Sequence, residues 1–198
     1  MISYSVAIQA GGKSSRMGQD KGLMPFGDNS LVEYIYHQIS GMGEGVFIVS
    51  NNQEEYQKLD IPVYSDVYKD LGALGGIHTI LSHLDADYVL VLACDMPFVN
   101  IELVEFMLTL APDFDVVVPR LGEKDFVEPF KAVYSKTCLA AVDAAIKNGK
   151  RRVISFFDDV RVRIVQPSEV KRFDPEYKSF INVNTPDDYQ KALEIAGF

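Results

Sequence analysis

The sequence predicts an α/β fold: a three-layer α/β/α, Rossmann-like arrangement around a mostly parallel, partly mixed central sheet. Three observations point to it. Short apolar runs alternate with longer stretches of helical periodicity, the pattern of strands joined by crossover helices. The run Tyr88-Val89-Leu90-Val91-Leu92-Ala93 is apolar on both faces, as a central strand covered from both sides must be. The 198 residues, 47% hydrophobic and 24% charged, are enough for one self-sufficient core. No repeat, low-complexity tract or linker divides them, so residues 1–198 are read as one domain.

The elements follow in order. Strands are expected at residues 5–9, 46–50, 61–65, 88–93, 115–119, 130–134 and 161–166, each a short apolar run. Helices are expected at 31–39, 53–59, 74–84, 101–110, 136–147 and 186–196. Ser30-Leu31-Val32-Glu33 and Thr185-Pro186-Asp187-Asp188 each begin with a hydroxyl able to cap orphan amides. Pro186 suits a first helical position, and Gly149 suits the residue just past a helix end. The stretch 119–130, with Gly122 at its centre, reads as a hairpin that adds an antiparallel strand.

Charge narrows the function. The chain has 19 Lys+Arg against 28 Asp+Glu, a net charge of −9, which excludes a general nucleic-acid binder and docking on an anionic membrane. No apolar run approaches the roughly 18 residues of a membrane span. The start, Met1-Ile2-Ser3-Tyr4-Ser5, lacks the basic region of a signal peptide. Cys94 and Cys138 form no Cys-x-x-Cys pair and His37, His78 and His83 are scattered, so a zinc site is not expected. The expected compartment is the cytosol, with both thiols reduced.

In a parallel sheet, ligands bind beyond the carboxyl ends of the strands. The first strand runs into Ala10-Gly11-Gly12-Lys13-Ser14-Ser15-Arg16-Met17-Gly18-Gln19-Asp20-Lys21-Gly22, where three cations face one anion. Such a loop suits phosphate capture: amides approach oxygens at the glycines while Lys13, Arg16 and Lys21 neutralise charge. It matches neither Gly-x-x-x-x-Gly-Lys-Ser/Thr nor Gly-x-Gly-x-x-Gly. Its place after the first strand favours phosphate binding over a solvated Gly/Ser loop.

The central strand ends in Cys94-Asp95-Met96-Pro97. A carboxylate there needs a partner, and Mg²⁺ is a natural one because it takes oxygen ligands and keeps waters and substrate phosphates. Asp before a turn also caps backbone amides, but a cationic glycine loop on a neighbouring strand end favours the metal. Cys94 reads as core filler. Asp66, with Gly72, Gly75 and Gly76 at the following helix start, fits either a bound planar group or tight helix–sheet packing. Asn182 and Asn184 alternate along an extended stretch, so both amides can face one ligand or satisfy loop backbone. Lys147, Lys150, Arg151 and Arg152 read on charge alone as a solvated helix end.

Together these segments resemble a known family. Ala10-Gly11-Gly12-x-Ser14-x-Arg16-Met17-Gly18-x-Asp20-Lys21, Asp66 with Gly72-x-Leu74-x-Gly76, Cys94-Asp95-Met96-Pro97, Gly149-x-Arg151-Arg152-Val153 and Asn182-Val183-Asn184-Thr185-Pro186-Asp187 are similar to the molybdenum cofactor guanylyltransferases. These are nucleotidyltransferases of a GT-A-like α/β fold, and the resemblance covers nearly the whole chain. It implies transfer of GMP from Mg·GTP to the phosphate of molybdopterin, with release of pyrophosphate. By motif it implies nucleotide contacts from Gln9, Gly11, Gly12 and Lys21, with Asn51 and Asp66 around base and ribose. Asp95 would hold Mg²⁺, and Arg16 and Lys21 would act on the phosphates. Asn182, Asn184, Arg151 and Arg152 would face a second metal position or the pterin acceptor. It implies transient contact with proteins that deliver or receive the cofactor. Gln9 stands where the family usually has Leu, and Ala73 where Pro is usual. Cytidylyl transfer to a pterin, nucleotidyl transfer to a sugar phosphate and a non-catalytic nucleotide-binding module are the alternatives.

Overall fold

The computed structural model describes residues 2–10, 20–68, 71–122 and 126–198. In chain order the elements are β1 (Tyr4–Gln9), β2 (Pro25–Phe26), β3 (Asn29–Ser30), α1 (Leu31–Ile39), β4 (Val46–Val49), α2 (Gln53–Tyr56) and β5 (Val63–Tyr64). Then come α3 (Gly72–Ser82), β6 (Tyr88–Ala93), α4 (Ile101–Leu110), β7 (Val116–Pro119), β8 (Lys131–Ser135), α5 (Leu139–Lys147), β9 (Val162–Val165), α6 (Pro167–Phe173) and α7 (Pro186–Ala196).

Seven strands form one sheet in the order β5-β4-β1-β6-β8-β7-β9. β5, β4, β1 and β6 pair parallel, and so do β7 and β9. β8 runs antiparallel to both β6 and β7, which makes the sheet mixed as the hairpin at 119–130 implied. Its two faces are covered separately. Val32, Ile35 and Ile39 of α1, Leu103, Val104 and Met107 of α4 and Val170 of α6 pack with Val6, Ile8, Leu90 and Val133 on one side. Leu74, Ile77 and Ile80 of α3 and Val142 and Ala145 of α5 pack with Ala7, Val49, Val91 and Tyr134 on the other. The alternation along each inner strand therefore feeds both cores, which is why β6 is apolar throughout.

Both expected hydroxyl caps form. Ser30 and Glu33 exchange hydrogen bonds at the start of α1, at 2.7 and 3.3 Å. Thr185 and Asp188 do the same for α7, at 3.0 and 3.1 Å. Gly149 takes φ +74 after α5, its N–H bonding the Ile146 carbonyl while the Lys150 N–H bonds that of Ala145.

Several boundaries differ from the sequence reading for local reasons. The helix expected at 53–59 is α2 followed by a 3₁₀ turn, Gln57–Leu59, which ends at left-handed Asp60. The helix expected at 136–147 opens as a 3₁₀ turn under a Ser135 cap. The helix expected at 74–84 begins earlier, at Gly72, whose φ is +59, and ends at Ser82. The strand expected to reach Gln166 stops at Val165, because Gln166 and Glu169 form the capping box of α6, with Pro167 in its first turn. α6 and the β2–β3 hairpin were not anticipated. The hairpin carries Phe26, a fully buried ring packed edge-on against Tyr34, Phe98, Tyr189 and Phe198. This cluster docks α7, and with it the preceding asparagine segment, against the residues that follow the glycine-rich loop.

Candidate active site

The carboxyl ends of β1, β4, β5 and β6 share one edge of the sheet, because the four strands are parallel. The Cys94 N–H bonds the Gln9 carbonyl at 3.1 Å, extending the β1–β6 ladder past the strand end and setting Asp95 beside the exit of β1. Gly11, Gly12, Arg16 and the neighbouring Lys13, Ser14, Ser15, Met17 and Gly18 lie outside the described residues.

The far end of that loop is firmly anchored. Asp20 caps the short 3₁₀ turn Lys21–Leu23: Oδ1 accepts from the Gly22 N–H at 3.1 Å and from the Tyr56 hydroxyl at 2.6 Å. Oδ2 accepts from the Asn52 side-chain amide at 2.9 Å. Tyr56 is fully buried, and burial, then the bond to Asp20, pushes its phenol pKa far up, so it stays a donor. Gly22 has no room for a side chain, since a Cβ would stand 2.4 Å from the Tyr56 hydroxyl and 2.8 Å from Val32.

Lys21 is thereby aimed across the edge. Its ammonium donates to the Asn184 side-chain oxygen at 2.6 Å and lies 3.5 Å from Asp95 Oδ2. Three segments far apart in sequence thus converge on one cation. The loop holding Asp95 is tied to the asparagine segment by the Val183 N–H, which bonds the Asp95 carbonyl at 2.7 Å. Val183 is fully buried, so Asn182 and Asn184 flank it on the outer side. Asn184 meets Lys21, whereas the Asn182 amide turns back to the Phe180 carbonyl at 3.3 Å.

On the other flank, Asn51 and Asp66 bond reciprocally: Asn51 Nδ2 donates to Asp66 Oδ2 at 2.8 Å and the Asp66 N–H to Asn51 Oδ1 at 3.1 Å. Asp66 Oδ1 and Gln9 Oε1 are buried, and among the described residues neither has a hydrogen-bond partner. The Gln9 side chain lies over α3 at Gly76, where a Cβ would come within 2.4 Å of Oε1. Gly75 likewise makes room for Leu71, so these glycines serve packing, one of the two readings left open by the sequence. Ala73 is exposed in the first turn of α3.

Arg151 and Arg152 are exposed beyond the end of α5. Arg151 donates to the Lys150 carbonyl at 3.1 Å, and no contact joins either arginine to Lys21, Asp95 or Asn184. Cys94 packs against the core, and burial raises its thiol pKa far above the usual range. Both cysteines are free.

Sequence reasoning assigned no role to Asp20, Asn52 or Tyr56. The signal for Asp20 was its place before Lys21 in a cationic loop; the other two are recognisable only once α2 is folded against it. It also passed over Lys131, a cation inside an apolar strand and 1% exposed.

The donors present fit a magnesium ion. Among the described residues no cluster of three or more His, Cys, Asp or Glu could hold a metal unaided. Asp95 and Asn184 instead offer one carboxylate and one amide oxygen, hard donors that suit Mg²⁺ shared with substrate phosphates and water. The Lys21 ammonium contacts both oxygens.

Among the described residues no helix is long and apolar enough to cross a membrane. A family model, the MobA-like NTP transferase domain, matches residues 6–162. The chain is 34% identical over 197 residues to a probable molybdenum cofactor guanylyltransferase of Clostridium perfringens strain 13, covering 98% of both. It is 35% identical over 195 residues to the probable molybdenum cofactor guanylyltransferase of Carboxydothermus hydrogenoformans, again covering 98% of both. The crystal structure of molybdopterin-guanine dinucleotide biosynthesis protein A from Archaeoglobus fulgidus matches with a TM-score of 0.83 at 28% identity, covering 98% of both chains. Matched along almost its whole length, the chain belongs to the MobA-like NTP transferase family, the nucleotidyltransferases that include the molybdenum cofactor guanylyltransferases.

Proposed function

We propose that this chain transfers GMP from Mg·GTP to the terminal phosphate of molybdopterin, releasing pyrophosphate and forming the guanine dinucleotide. The observation that carries the reading is the meeting of Lys21, Asp95 and Asn184 at the carboxyl edge of the sheet. A pure nucleotide binder has no need of a cation and a metal-type carboxylate on the same few ångströms of surface.

The acceptor phosphate attacks the α-phosphorus in line; one P–O bond forms and the bond to the β-phosphate bridge breaks. The nucleophile is already anionic, so catalysis is mainly positioning and charge neutralisation. Lys21 and Arg16 neutralise the transferring and leaving phosphates, and the amides of Gly11 and Gly12 seat them. Asp95 and Asn184 would hold Mg²⁺, which would supply charge neutralisation for the phosphates. Substrate entry releases Lys21 from its two oxygen partners toward the phosphates.

Among the described residues, Gln9 Oε1 and Asp66 Oδ1 have no donor. A guanine edge and a ribose hydroxyl supply one to each, with Asn51 holding Asp66 in place. Asn182, Arg151 and Arg152 are assigned to the pterin side. The test is direct: incubate the protein with Mg·GTP and molybdopterin and look for the guanine dinucleotide by mass, with CTP, ATP and UTP in parallel. Product from GTP alone is expected; product from CTP instead, or none from any nucleotide, overturns the reading.

A further inference from the structure

β8 is buried along its whole length, yet its first residue is a lysine. Lys131 shares a face with Val133, and its ammonium donates to the Phe98 carbonyl at 2.7 Å and to the Ser179 carbonyl. It also lies 5.7 Å from the centre of the Phe180 ring. Glu128, Asp174 and Asp95 favour its charge, but burial outweighs them and lowers its pKa to about 7. A buried charge is costly even when satisfied, so packing alone does not call for a lysine here. The contacts explain its presence better than the core does.

Those two carbonyls belong to the two walls of the site. Phe98 lies on the loop that opens with Asp95; Ser179 precedes the segment bearing Asn182 and Asn184. Each wall is also held from its outer side. Gln38 of α1 donates to the Pro97 carbonyl at 2.7 Å and accepts from the Val99 N–H at 3.0 Å. Asp174 accepts from the N–H groups of Lys178 and Ser179, both at 2.8 Å. Between the walls, the described residues supply the Val183–Asp95 backbone bond, the Lys21 ammonium that meets Asn184 and Asp95 at the outer rim, and the buried Lys131 ammonium beneath them.

We propose that Lys131 is a positioning residue: by bonding the Phe98 and Ser179 carbonyls together it fixes Asn184 against Asp95, and so sets the spacing of the groups that meet the transferring phosphates. This rests on the proposed transfer reaction for its catalytic consequence, not for the clamp itself.

The test uses Lys131→Met in the full chain, compared with wild type. Without substrate, amide exchange followed by mass spectrometry is expected to speed up about tenfold in peptides covering 95–99 and 179–185 and to stay unchanged in β1 and β4. With substrates, kcat falls at least about tenfold while KM for GTP stays within about twofold, because a small misplacement acts on the reacting geometry. Unchanged exchange in both walls overturns the proposal, as does a kinetic loss carried wholly by KM for GTP. If Lys131→Met does not fold, Lys131→Gln is read by the same two measurements. Failure of both to fold makes Lys131 a residue of the core and equally overturns it. The exchange readout needs no substrate, so it fails or succeeds independently of the guanylyl-transfer assignment.

Discussion

The hydroxyl of Tyr56 donates to Asp20 Oδ1 at 2.6 Å, and Asp20 is the residue that directs Lys21. The bond joins α2, which follows β4, to the end of the glycine-rich loop that follows β1. Tyr56→Phe keeps the buried ring and deletes one hydrogen bond to a charged acceptor, which is worth about 1.5–3 kcal/mol. Asp20 retains the Gly22 N–H and the Asn52 amide, so the loss should sit at the lower end. Urea unfolding should show a lower midpoint at unchanged slope, and kcat should fall as Lys21 loses its anchor. Wild-type stability and turnover in Tyr56→Phe would refute this role.

Gly76 and Gln9 exclude each other's alternatives. Glycine inside α3 gives up about 0.8–1 kcal/mol of helix propensity relative to alanine. Gly76→Ala recovers that, but its Cβ would stand 2.4 Å from Gln9 Oε1, the mobile end of a side chain. The side chain swings off, and net stability changes by no more than about 1 kcal/mol. GTP binding should nonetheless weaken about three- to tenfold, the worth of one hydrogen bond. Gln9→Leu should weaken it to the same degree, and the double variant no further. Titration calorimetry checks this, and full affinity in Gly76→Ala would remove Gln9 from the nucleotide site.

The periodicity made the layers legible, and α1, β6, α4 and α7 lie where it put them, because caps and apolar runs are local signals. α6 lies in the stretch left without an element after the strand expected at 161–166, although Gln166, Pro167 and Glu169 are a readable helix start. Asp95 and Lys21 could be singled out as strand-end and loop charges, but their 3.5 Å approach depends on the register between β1 and β6. Lys131 was illegible for a different reason. A lysine in an apolar run reads as a strand-edge charge, and only the Phe98 and Ser179 carbonyls reveal it as an interior clamp.

Lys21 and Asp95 should separate in kinetics. Asp95→Asn removes the carboxylate of the proposed metal pair and is expected to abolish turnover even at saturating Mg²⁺. Lys21→Ala should lower kcat more than it weakens GTP binding, because the cation acts on charge that moves in the transition state. Steady-state assays with varied Mg²⁺ and GTP decide both. Normal turnover by Asp95→Asn, or a pure KM effect in Lys21→Ala, contradicts the assignment.

The buried ammonium of Lys131 also leaves a signature in stability against pH. Its pKa is about 7 in the folded chain, against an ordinary value of 10.5. Between those values the unfolded state holds a proton that the folded state has released, so stability rises with pH across that window. The penalty is full below pH 7 and relieved as pH climbs toward 10.5. Glu128, Asp174 and Asp95 all face this charge and limit the penalty, and Glu128 is itself pushed toward its neutral form, chiefly by burial. Lys131→Met has nothing to titrate there. Urea unfolding of both proteins at intervals from pH 6 to 10 should therefore show wild type gaining on the variant as pH rises. The comparison cancels the many groups the two proteins share, including the buried thiol of Cys94 and the phenol of Tyr56, whose pKa values lie high for the same reason, burial. A constant difference across the window would mean that Lys131 keeps its proton in the fold, with the two carbonyls and the Phe180 ring outweighing burial.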